Sequence, residues 1–165
     1  MKQDIAIKQL ERKIKTMLIL FIVFLVLSGI TAFPLEYELR FLLGMKDYFP
    51  PLVGDWLQTV ALAITETNAK YPFMSYGTDW LAFAHVVIAV AFIGPLRDPV
   101  RNIWVIQFGM IACVMIFPLA FICGPIRHIP FYWQLIDCSF GVIGFIPLYR
   151  CYRWIKQLEL LTFNK

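Results

Sequence analysis

Charge is scarce in this chain. Asp, Glu, Lys and Arg make up 16% of its 165 residues, where soluble domains carry about 25%. That shortage excludes an ordinary soluble enzyme. The 15 basic residues sit at the ends of apolar runs and form no stripe, which excludes a nucleic-acid surface. Histidine is rarer still, with only His85 and His128. The four cysteines (Cys113, Cys123, Cys138 and Cys151) contain no C-x-x-C and no zinc-like spacing. No metal centre is therefore expected. Three of these thiols lie in or beside apolar runs and Cys151 at a basic end, where cysteine most often behaves as a small hydrophobe. A Cys123–Cys138 disulfide would need two helices to present both thiols face to face. The chain also lacks a P-loop, an H-E-x-x-H pair, a rhomboid-type serine motif and any internal repeat.

Apolar residues are what the chain has in quantity: 60% are hydrophobic and 16% aromatic. That is the composition of an integral membrane protein. The length allows one compact domain, residues 1–165. Residues 1–16 are polar, with Lys2, Lys8, Arg12, Lys13 and Lys15 against Asp4 and Glu11. Ile5, Ile7, Leu10 and Ile14 form a rough helical stripe there, as in a helix on a membrane surface. The uncharged run from Met17 to Phe33 gives the first span, 17–35. It reads as an uncleaved anchor and not a signal peptide, because the polar leader is long and Ile30 stands where a small residue is wanted.

Residues 36–79 are too long for a structureless loop. Pro34 and Gly44 bracket one short helix, with Leu35, Leu39 and Leu42 on one face. Pro51 to Asn68 shows a second, with Leu57, Val60 and Ile64 at helical spacing. Tyr48, Phe49, Tyr71, Phe73 and Tyr76 suit the headgroup level. Thr78 and Asp79 then read as the start of the second span, 80–95. The third span is 103–123 and the fourth 129–149, followed by a polar end, 150–165. The expected fold is all-α: a four-helix membrane bundle with an amphipathic helical insertion between the first two spans.

The positive charges give the orientation. On one side lie the five N-terminal cations, then Arg97 and Arg101, then Arg150, Arg153, Lys156 and Lys165. On the other lie Arg40, Lys46, Lys70 and Arg127. Both termini are expected in the cytoplasm, the insertion outside, and the location a cell or cytoplasmic membrane.

Polar groups inside the spans are costly, so each needs a partner or a task. His85 is five residues into the second span, about 7–8 Å deep, and Asp137 eight residues into the fourth, about 12 Å deep, at 1.5 Å per residue. Both helices would enter from the outside, which puts the two at similar depth. Gln134, Asp137, Gly141 and Gly144 share one helical face that should point inward. His85 and Asp137 are the candidate catalytic pair, with Asp79, Trp80, Arg127, His128, Trp133 and Gln134 around the rim of an outward cavity. The plainer reading is that the pair fixes helix register. Haem b between His85 and His128 is disfavoured, because His128 sits in a short surface turn.

The expected role is a binding or accessory membrane subunit. Its cavity would take a lipid, a small apolar ligand or a partner. The alternative is a small membrane enzyme or proton-linked carrier using His85 and Asp137. The lipid bilayer is one partner, and a second copy or a larger membrane complex is the other expected one.

Overall fold

The computed structural model describes residues 2–163, and of Lys2 the backbone alone. It is all-helical, with no strand among the described residues. Among the described residues four segments are long and apolar enough to cross a membrane: Gln3–Ala32, Pro72–Arg97, Ile103–Ile126 and Phe131–Phe163. Large apolar side chains stand exposed on all four, among them Phe24, Leu81, Leu119 and Ile143. Such faces suit lipid and not water.

Helix α1 spans Lys2–Ala32 without a break. The polar leader is thus the first part of the same helix that carries the apolar run. Residues 12–17 contain neither glycine nor proline, so nothing in the backbone interrupts it where charge gives way to Met17. The helix ends ahead of Pro34, whose ring disfavours helix at the residue before it.

α2 (Leu35–Gly44) follows, with Glu36 and Glu38 favourably placed in its first turn. After a 3-10 turn at Lys46–Tyr48, α3 (Pro51–Lys70) starts with proline in its first turn, where the missing N–H costs nothing. α2 packs against α3, burying Leu39 on one and Gly54, Leu57 and Ala61 on the other. The Lys46 side chain lies across Gly54 and donates to Gln58 at 2.7 Å.

A second 3-10 turn, Pro72–Ser75, leads straight into α4 (Tyr76–Ala91). Thr78 is therefore inside the helix and does not cap it, while Asp79 does occupy the first turn. The chain then forms short α5 (Ile93–Arg97), α6 (Ile103–Ile126) and α7 (Phe131–Phe163). The Gly94–Pro99 turn is knit by Asn102, whose amide donates to the Gly94 and Asp98 carbonyls at 3.2 and 2.9 Å. α7 runs on for 14 residues past Tyr149, because Cys151, Ile155 and Leu158 continue its buried seam.

The described residues form two compact units, Phe24–Ala89 and the remainder. In the first, Gly29 of α1 meets α4: a Cβ on it would lie 2.8 Å from the Ala82 carbonyl oxygen. In the second, α6 and α7 form an antiparallel pair in close contact. Its core joins Ile14 and Leu18 of α1 to Phe92, Ile106, Leu148 and Ile155. The Gln3 amide donates to the Leu161 carbonyl at 3.0 Å, so the first turn of α1 meets the last turns of α7.

Between α6 and α7, His128 has φ 56°. Its N–H binds the Pro125 carbonyl at 3.1 Å and the Ile129 N–H binds that of Gly124 at 2.9 Å. This is a Schellman ending with histidine where glycine is usual. A side chain in this left-handed region costs about 1–2 kcal/mol. His128→Gly is expected to stabilise the protein by up to about 1 kcal/mol, part of the relief being offset by the freer unfolded chain. The midpoint of thermal unfolding in a fixed detergent checks it.

Candidate functional site

A concavity of about 390 Å³ lies within the Phe24–Ala89 unit. Phe33 and Pro34 come from the link after α1, and Leu35, Glu36 and Tyr37 from the start of α2. Ala63, Ile64, Thr67 and Asn68 come from α3, Met74 and Ser75 from the second 3-10 turn, and Thr78 and Asp79 from the start of α4. Prolines at 34 and 72 turn the chain so that these helix ends converge.

The lining residues Glu36, Asn68 and Ser75 form a connected polar chain, joined by Arg40, which is not itself part of the lining. The Arg40 guanidinium donates to Glu36 Oε1 at 2.6 Å, and the Asn68 amide donates to Glu36 Oε2 at 3.0 Å. The Ser75 hydroxyl donates to the Asn68 amide oxygen. These bonds tie α2, α3 and the second 3-10 turn together. The Asn68 amide, then the Arg40 guanidinium, hold the Glu36 carboxyl below its ordinary value of 4.5. A carboxyl depressed in the fold stabilises it above the ordinary pKa and loses that contribution as pH falls through the lower, folded value. Slowed amide exchange in α2 is therefore expected to hold above pH 4.5 and to weaken progressively below it. Glu36→Gln should abolish the pH dependence. Exchange of the α2 amides across an acid series checks both.

The lining also carries Asp79, half-buried, beside Thr78. Among the described residues the lining holds two carboxylates, Glu36 and Asp79, and no cationic side chain. Both Glu36 oxygens are engaged, so Asp79 is the charge facing the space. Phe33, Leu35, Ile64 and Met74 give the rest of the lining an apolar character. A cavity of this kind suits a molecule with an apolar body and a cationic or hydrogen-bond-donating head.

The other residues singled out in the sequence are placed as follows. Trp80 is exposed, in an edge-to-face series with Tyr76 at 6.0 Å and Phe83 at 6.1 Å, and is not part of the cavity wall. His85 is half-buried on α4, its Nδ1 2.8 Å from the Leu81 carbonyl. A carbonyl only accepts, so that nitrogen carries a proton. Its Cβ is 3.1 Å from where a Cβ on Gly29 would sit.

In the other unit, Gln134 is buried and its amide donates to the Ile129 carbonyl at 2.8 Å. It fills the space over Gly124, where a Cβ would lie 2.6 Å from the glutamine side chain. Its role there is to close the α6–α7 turn. Arg127 and His128 are exposed in that turn, and Trp133 is half-buried just beyond it. Asp137 is half-buried, to one side of the seam made by Gln134, Cys138 and Gly141. Within its unit, no hydrogen bond or ion pair reaches its carboxylate among the described residues.

Cys123 is exposed and Cys138 buried, and all four cysteines are free. Among the described residues no three His, Cys, Asp or Glu side chains group as a metal site. The Glu36–Asn68–Ser75 wall was missed in the sequence. Its only signal was polar residues close to the prolines that start and end helices. No family model matches the chain, and neither a curated protein nor a solved structure matches it.

Proposed function

We propose that this is a four-span integral membrane protein of a cell or cytoplasmic membrane. It binds a lipid or small amphiphile in the cavity of its extracytoplasmic insertion, as a binding or accessory subunit of a dimer or a larger membrane assembly. The observation that carries the reading is Asp79, a carboxylate facing an apolar-lined space with no cation in its wall. A ligand head that donates to it makes a charge-assisted bond, worth about 1.5–3 kcal/mol. The orientation rests on the distribution of Lys and Arg between the two sides of the spans. The bond from Gln3 to Leu161 supports the same arrangement, since it brings the first turn of α1 to the last turns of α7. The exposed Tyr37, Tyr48, Phe73 and Tyr76 support an insertion lying at the headgroup level.

The test is native mass spectrometry of protein purified in mild detergent. Wild type is expected to retain an adduct of lipid or small-molecule mass. Asp79→Asn should hold it roughly tenfold to a hundredfold more weakly, following the value of the lost charge-assisted bond. A wild-type protein that carries nothing sinks this reading. The second reading then takes its place: a small membrane enzyme or a proton-linked carrier. It rests on Asp137, a carboxylate in an apolar helix with no partner in its unit, and on His85, an imidazole in another apolar helix.

A further inference from the structure

A second groove lies in the other unit, between the first half of α1 and the end of α7, with a volume of about 360 Å³. From α1 it takes Gln9, Arg12, Lys13 and Thr16, then Met17 and Leu20; from α7 it takes Trp154. The α1 positions follow one helical face, at offsets that keep successive turns in line. The groove is therefore graded along its length. Two cations stand at one end. Met17 and Leu20 stand at the other, and Trp154 of α7 completes the lining. Arg12 and Leu20 are eight residues apart, about 12 Å along the helix.

We propose that this groove binds one anionic phospholipid. Its phosphate would sit between Arg12 and Lys13, and the start of an acyl chain would run along Met17 and Leu20. Both cations are exposed, and no hydrogen bond or ion pair engages either among the described residues. The one carboxylate in the last turns of α7, Glu159, is taken by Lys156 at 2.8 Å. Guanidinium and ammonium groups are the usual partners of phosphate, and the guanidinium can bind it through two parallel bonds. The depth matches as well. The uncharged run of α1 begins at Met17, inside the groove, so its cationic end lies at headgroup level and its apolar end in the acyl region. Tryptophan is favoured at that boundary. A free phosphate would leave the Met17–Leu20 end of the groove unfilled, which is why a lipid is the better occupant. This site shares no residue with the insertion cavity and stands whether or not that cavity binds a ligand.

The experiment measures lipid binding by native mass spectrometry in a neutral detergent, titrating phosphatidylglycerol and phosphatidylcholine separately. The variant is Arg12→Gln with Lys13→Gln; both sites are exposed, so folding should be kept, and the unfolding midpoint checks it. The control is Lys8→Gln with Lys15→Gln, which removes the same charge from exposed positions that do not line the groove. Wild type should take one phosphatidylglycerol at least tenfold more tightly than phosphatidylcholine. That preference should disappear in the Arg12/Lys13 variant and persist in the control. Equal binding of the two lipids overturns the proposal. So does an equal loss in both variants, which would mean diffuse charge attraction. Displacement of the lipid by millimolar inorganic phosphate overturns it too, by making the site one for a free anion.

Discussion

Gly141→Leu prevents α6 and α7 from docking. A Cβ on Gly141 would lie 2.6 Å from the Cys113 carbonyl oxygen, with the Phe117 ring at 3.4 Å and Ile116 at 3.5 Å. The obstacle is backbone, which cannot step aside as a flexible side chain can. Helices in lipid gain little from the hydrophobic effect and associate through close packing, so small residues at the crossing matter most. Even Gly141→Ala should cost about 1–3 kcal/mol, the usual range for overpacking. With leucine the pair should separate, and the protein should be recovered in low yield, unfolding at the lowest detergent or heat stress. Gly77 gives the contrast, since nothing lies within 4 Å of a Cβ there. It is inside α4, so Gly77→Ala should stabilise by about 0.5–1 kcal/mol. Unfolding midpoints of the three variants against wild type check the order.

Phe92→Ala has the next largest effect. Its ring is 1% exposed and packs against Phe21 with centroids 4.8 Å apart. On its other side its Cζ fills the space over Gly109, 2.8 Å from where a Cβ would sit. Removing the ring opens a cavity between Phe21 of α1, Gly109 of α6 and the Leu148 side chain of α7 that lies over the same glycine. The expected loss is about 3 kcal/mol, within the usual range for a buried phenylalanine. Phe92→Leu should lose less than half of that, since it keeps most of the volume. Unfolding by a graded denaturing detergent, read by circular dichroism, separates the two.

The helices of the insertion were legible because proline and glycine punctuate them. Pro34, Gly44 and Pro51 place α2 and α3 to within two residues. The ends of α1 and α7 were not, because a change from apolar to charged residues does not stop a helix. α1 continues back to Lys2 and α7 on to Phe163, each carried by buried side chains such as Ile14 and Ile155. The inward stripe on α7 was half legible. Gln134 and Gly141 are buried as their spacing implied, but the seam runs through Cys138, which leaves Asp137 at its flank. The cavity wall could not be read at all. Glu36 and Asn68 are 32 positions apart, and no periodicity links them; only the packing of α2 on α3 brings them together. Asp79 was marked for the rim of an outward cavity lined by His85 and Asp137; the concavity it lines is a different one, which contains neither of them.

The measurement that tests the outward cavity most directly is thiol labelling from one side of the membrane. Met74 lines the cavity and is 59% exposed; Phe163 is 79% exposed near the chain end. Single cysteines are placed at each, as Met74→Cys and Phe163→Cys, in a background with the four native cysteines replaced by alanine. Whole cells are treated with a membrane-impermeant maleimide. The account predicts modification at position 74 in intact cells, and at position 163 only after permeabilisation. Labelling of 163 in intact cells, with 74 protected until the membrane is opened, would contradict it.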